Sequence, residues 1–62
     1  MNLLEVLDRI PIETTISLQT RLRNELYSFD NCQREKAKLY YRWPVKKVEK
    51  SGENLYKVVL DI

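Results

Sequence analysis

The first apolar residues of the chain, Leu3, Leu4, Val6, Leu7 and Ile10, recur at helical spacing, with Glu5, Asp8 and Arg9 on the opposite side. Asn2 stands where an N-cap belongs, and Glu5 follows three residues later, the spacing of a capping box. Glu5 and Arg9 are also ordered for an i,i+4 ion pair. Pro11 stops the run, because its ring drives Ile10 out of the α region. The pattern predicts a short amphipathic helix ahead of Pro11.

The period then changes. Ile12, Thr14, Ile16 and Leu18 alternate with Glu13, Thr15 and Ser17, and their β-branched content predicts a half-buried strand. From Leu18 a second pattern overlaps the first: Leu18, Leu22, Leu26 and Phe29 form a stripe at helical spacing with polar residues between. Residues 18–30 therefore fit either a helix or the returning arm of a hairpin that turns within Arg21 to Asn24, and the pattern leaves both open. Helix formers fill Gln33 to Leu39, and Cys32, Leu39 and Trp43 fall on one face. Pro44 pushes Trp43 toward extended backbone, so this helix ends near Tyr41. The alternative is a strand with Leu39, Tyr41 and Trp43 inward.

At the end of the chain, "PVKKVEK" and "LYKVVLDI" flank "SGEN", which holds the only glycine, and together they predict a β-hairpin. Tyr56, Val58, Leu60 and Ile62 line one face of the last strand, while Leu55, Lys57 and Val59 give its other face bulk as well. Such two-sided strands lie inside a sheet or under a partner. Val45 and Val48 are out of step for one face, so the basic strand is expected to bulge or to lie at a sheet edge guarded by its lysines. The predicted fold is α+β: a short N-terminal helix, one further helix in the middle, and a small antiparallel sheet ending in a C-terminal β-hairpin. Residues 1–62 make a single small domain.

Length sharpens the picture. A chain of 62 residues buries only about 60% of its unfolded surface, so a staple, a metal or a partner is expected to supplement the core. Cys32 is the only cysteine and there is no histidine, which leaves no internal disulfide and no familiar zinc set. Association, with a partner protein or a second copy, is the remaining supplement. The single thiol, the acids within the first ten residues and the lack of any run near the roughly 18 apolar residues of a membrane helix point to a cytoplasmic protein.

Charge is distributed unevenly. The net value is +2, yet residues 1–31 balance at −2 and residues 32–62 at +4. Gln33 to Lys50 alone carries seven cations against two anions.

The order of "LLEVLDRIP", "TTISL", "VKKVE" and "LYKVVLDI" resembles that of small phage- and prophage-encoded domains of unknown function. In those, an "ELLxxLP" helix leads into a "TxIxI" strand, and the chain closes with a V-x-x-I segment and an apolar strand. The resemblance covers about half of the chain, mostly at core positions. It implies an α+β fold, a hairpin in the middle region and a phage or mobile-element setting; it implies no active residues. "QTRLRNEL" departs from the pattern, having no glycine where those domains commonly turn.

Catalysis finds little to work with. The commonest general base at neutral pH is absent, Cys32 has no base at a recognisable spacing, and one glycine cannot build a phosphate loop. Cys32 is expected to be a buried or half-buried structural thiol. Glu5 and Asp8 read as solvated charges near a helix start. The candidate contact surface is the basic and aromatic segment 36–50. It offers Lys36, Lys38, Arg42, Lys46, Lys47 and Lys50 to phosphates or to a partner, and Tyr40, Tyr41 and Trp43 for stacking. Which of the three rings are needed for the core is open. The expected function is that of a non-enzymatic accessory protein, without cofactor or metal and away from membranes, that binds a protein partner or associates as a homodimer. A nucleic-acid-binding regulator is the alternative.

Overall fold

A computed structural model of the chain describes residues 1–62. Its elements are α1 (Leu3–Leu7), β1 (Thr15–Gln19), β2 (Glu25–Asp30), a 3-10 helix (Asn31–Tyr40), β3 (Val45–Gly52) and β4 (Leu55–Leu60). The fold is α+β, as the hydrophobic pattern predicts. No helix is long and apolar enough to cross a membrane.

The capping box forms in full. The Glu5 N–H donates to Asn2 Oδ1 at 3.0 Å, and the Asn2 N–H donates to Glu5 Oε1 at 3.1 Å. That second bond holds the Glu5 carboxylate at the start of α1, and the expected pair with Arg9 does not form. Beyond Leu7 the turns tighten: Arg9 N–H donates to the Val6 carbonyl and Ile10 N–H to that of Leu7. Leu3, Val6, Leu7 and Ile10 all enter the core.

Residues 18–30 form a hairpin arm, not a helix. Ile16 pairs with Phe29 and Leu18 with Tyr27, and a bulge beyond Leu18 brings Gln19 opposite Glu25. The helical stripe is a coincidence of spacing, since Leu22 sits exposed in the turn and Leu26 falls in the bulge. Arg23 takes the left-handed turn position that a glycine would ordinarily hold, at φ 67°.

The sheet corrects one expectation. It is mixed rather than antiparallel, with order β2-β1-β4-β3 and the inner strands β1 and β4 parallel. The two hairpins are local and antiparallel. Residues 31–44 carry the chain from the β2 edge to the β3 edge, which is long enough for a crossover and returns β3 in the direction of β2. The two most buried strands, β1 and β4, thereby take the middle, each with a paired neighbour on both sides. The inner face joins Ile16, Leu18, Phe29, Val58 and Leu60 to α1 and to Ala37 of the 3-10 helix. Tyr56, Val58 and Leu60 share that face, and Val59 is buried on the other, level with Gln19 and Lys47.

On the outer face the Ser17 hydroxyl donates to Glu25 Oε1 at 2.7 Å, and Gln19 Nε2 donates to Ser17 Oγ at 3.3 Å. Arg23 reaches from the β1–β2 turn to Glu49 on β3. Both expected irregularities of β3 are present: it is an edge strand, and its register shifts between Val45 and Lys47 and again between Lys50 and Gly52.

The middle helix exists as two 3-10 stretches joined across non-helical backbone at Gln33 and Ala37. Side chains therefore do not follow the 3.6-residue face the sequence suggests. Asn31 and Ala37 point inward, while Cys32 and Leu39 are exposed. Cys32 is thus not a buried structural thiol.

Candidate functional site

Several backbone hydrogen bonds tie the start of α1 to the segment after the 3-10 helix. The Leu3 N–H donates to the Trp43 carbonyl at 3.0 Å and the Leu4 N–H to that of Tyr41 at 3.1 Å. These satisfy first-turn donors of α1 that have no partner within the helix. The Val45 N–H donates to the Met1 carbonyl at 2.9 Å, and Asn2 bridges to Pro44. Pro44 cannot donate, and its carbonyl instead accepts from the Asp61 N–H at 2.9 Å. The segment 41–45 is therefore fixed on both sides.

Between α1 and this segment lies an open groove of about 890 Å³, lined by Asn2, Leu4, Lys38, Leu39, Tyr41, Arg42 and Trp43. A second hollow of about 580 Å³ shares Leu4, Lys38 and Tyr41 and extends it to Arg34 and Glu35. The lining combines apolar side chains with cations. Arg34 is paired with Asp8, whereas Lys38 and Arg42 have no carboxylate partner. Leu39 is 86% exposed, the most exposed large apolar residue of the chain. Trp43 is 37% exposed, and its ring stands edge-on to Tyr40 with centroids 4.6 Å apart.

The segment 36–50 thus divides. Lys38, Tyr41, Arg42 and Trp43 come together in the groove. Tyr40 and Tyr41 pack against the core, so Tyr40 supports Trp43 from behind and Tyr41 shows the groove only part of its surface. Lys36 is exposed on the 3-10 helix and does not line the groove. Lys46, Lys47 and Lys50 lie on β3, where Lys47 meets Glu49 at 3.4 Å. The hydrogen bond from Arg23, reinforced by the charges of Arg23 and Lys47, holds the Glu49 carboxyl below its ordinary range.

Sequence reasoning missed Leu39, Leu4 and Asn2 as groove residues. Helical spacing places Leu39 inward beside Cys32 and Trp43, and only the kinks at Gln33 and Ala37 turn it out. The contact between Asn2 and Pro44 spans most of the chain and leaves no local signal. No group of histidine, cysteine and acidic residues is clustered for a metal ion. No protein-family model, curated protein or solved structure matches the chain.

Proposed function

We propose that the chain is a small non-enzymatic accessory protein, of phage or mobile-element origin, that docks a partner protein in the groove between α1 and residues 38–43. The observation that carries this reading is the presence in one groove of an almost fully exposed Leu39, a braced and half-exposed Trp43, and two cations without anions. Leaving Leu39 in water forgoes about 1.5 to 3 kcal/mol of burial, which a partner would recover. Tryptophan and arginine are the residue types that most often dominate protein interfaces. The matching partner segment presents an apolar side chain flanked by carboxylates. The phage or mobile-element setting rests on the resemblance of the helix, strand and hairpin motifs.

A nucleic-acid-binding regulator is the second reading, favoured by the lack of anionic partners at Lys36, Lys38, Arg42, Lys46 and Lys50. It is weaker because single strands are held on successive rings, and here Tyr40 and Tyr41 are engaged with the core.

Trp43 is the only tryptophan, so its emission reports on the groove directly. Peptides selected from a random library on the native chain should be apolar and acidic, and should shift that emission. Leu39→Asp should weaken them at least tenfold, while the Lys46→Glu, Lys47→Glu double variant leaves them unchanged. A library that yields no peptide acting on Trp43 would defeat the protein reading. A single-stranded oligonucleotide that shifts the emission, with affinity falling steeply in salt, would transfer the groove to the second reading.

A further inference from the structure

The two edges of the sheet differ in a way that the groove does not use. On β2, Glu25 and Asp30 are the only charged residues, and their carboxylates accept from the Ser17 and Thr15 hydroxyls without meeting a cation. On β3, the single acid Glu49 is already held by Arg23 and Lys47, which leaves Lys46 and Lys50 without an anion. One edge therefore carries unbalanced negative charge and the other unbalanced positive charge.

Apolar surface follows the same division. Tyr27 lies on the inner face at the β2 edge, opposite Leu18, and is 39% exposed. Val48 lies on the inner face at the β3 edge, opposite Val58, and is 40% exposed. Beside Val48 is a hollow of about 260 Å³ lined by Met1, Val6, Ile10 and Tyr56, with Arg9 at its rim. A side chain projecting from a neighbouring edge strand on the inner face would enter it.

We infer that the chain associates head to tail, β2 of one copy adding to β3 of the next, with Tyr27 seated in the hollow beside Val48. Both edge strands run antiparallel to the parallel inner pair, so β2 and β3 share one direction. A translated copy continues the sheet in parallel register. Setting Tyr27 beside Val48 brings Glu25 to Lys46 and Asp30 to Ser51, next in the chain to Lys50. Like edges repel instead: two β2 strands would oppose acid to acid, and two β3 strands lysine to lysine. Edge lysines exclude most strands, and an acidic edge is the partner they admit. Because the two surfaces differ, the contact is heterologous, and it builds a ring or an open filament rather than a twofold dimer. This surface is separate from the groove, and either reading stands without the other.

Sedimentation of the native chain across concentration decides the matter. At low salt the sedimentation coefficient should climb with concentration beyond that of a dimer, and high salt should return it to the monomer. The variants E25K/D30K and K46E/K50E should each be monomeric alone, and mixing them in equal amounts should restore association. Lys46 and Lys50 make no side-chain hydrogen bond or ion pair in the fold, so K46E/K50E retains the native circular dichroism and decides the case even if the first variant folds poorly. A native chain that stays monomeric at low salt overturns the inference. So does association that survives K46E/K50E, or a folded pair of variants that fails to reassociate on mixing.

Discussion

Arg23 is the only non-glycine residue with positive φ, and a residue bearing a Cβ spends about 1 to 2 kcal/mol in that region. The hairpin keeps it there with local bonds: the Arg23 N–H donates to the Thr20 carbonyl at 2.9 Å, and the Thr20 N–H to that of Asn24 at 3.0 Å. Its guanidinium then lowers the pKa of Glu49. A lowered carboxyl pKa contributes stability above the ordinary carboxylate value and loses it as pH falls through the lowered one. Replacing Arg23 separates the two effects. Arg23→Gly relieves the backbone and gives up the ion pair; Arg23→Ala gives up the pair and keeps the strain. In urea the glycine variant should be the more stable by about 1 kcal/mol. By NMR, the Glu49 titration midpoint should rise toward the ordinary value in both. An unmoved midpoint would mean that Arg23 is not the cause of the shift. The turn within Arg21 to Asn24 is one of the two readings the sequence leaves open. A positive φ at Arg23 is not legible, because glycine or asparagine favours that conformation and the asparagine of "RLRN" stands one residue later.

α1 depends on one distant side chain. Asn31 is buried, and its Nδ2 donates to the Leu7 carbonyl at 3.0 Å, to that of Ile10 at 2.9 Å and to that of Pro11 at 3.3 Å. It completes the C-terminal end of α1 as the capping box completes the other. Asn31→Ala leaves the Ile10 carbonyl without a donor, while those of Leu7 and Pro11 keep the Ile10 and Thr14 N–H groups, and should cost about 1 to 3 kcal/mol. Asn31→Asp should cost at least as much at neutral pH, since it sets a carboxylate against three acceptors. Thermal melts of both variants check this, and a loss in Asn31→Ala under about 0.5 kcal/mol would exclude the capping role. The contrast between the two ends of α1 shows what a sequence can reveal. Asn2 and Glu5 lie three residues apart, and their bond can be read from spacing. Asn31 acts across more than twenty residues and has no such signature. The middle helix is present, but its buried face differs from the expected one for a related reason. Its helix formers describe what the isolated segment prefers, whereas its face is set by the need to bury Ala37 and to lead Asn31 under α1.

The whole molecule is folded around few residues. Leu3, Leu7, Ile16, Leu18, Val58 and Leu60 are its largest fully buried side chains. A domain of this size has a total stability of roughly 3 to 9 kcal/mol, and truncating one buried leucine removes about 2 to 5 of it. Leu60→Ala should therefore abolish or sharply lower the cooperative thermal transition, whereas Leu39→Ala should leave it in place. A Leu60→Ala melting curve like that of the native chain would contradict the assigned core. The C-terminal hairpin and α1 could be anticipated because each joins neighbours in sequence, and the first hairpin was one of two readings left open. The parallel junction of β1 with β4 could not, because a pattern records which face a strand buries and not which strand lies beside it. The candidate site shows the same limit: the basic aromatic segment was visible as a region, while its division into groove, support and sheet edge required the crossover.

That junction fixes when the protein can exist at all. β4 is an inner strand of the sheet, yet it follows β1, β2 and β3 along the chain. Until Leu55–Leu60 joins the sheet, Ile16 and Leu18 have a hairpin partner on one side and nothing on the other. The nascent chain therefore emerges with its future core in water, at the stage when holding chaperones and proteases compete for such segments. A stall or a stop codon ahead of residue 55 yields a sticky fragment rather than a smaller working protein. The cell receives either the complete fold or material for disposal.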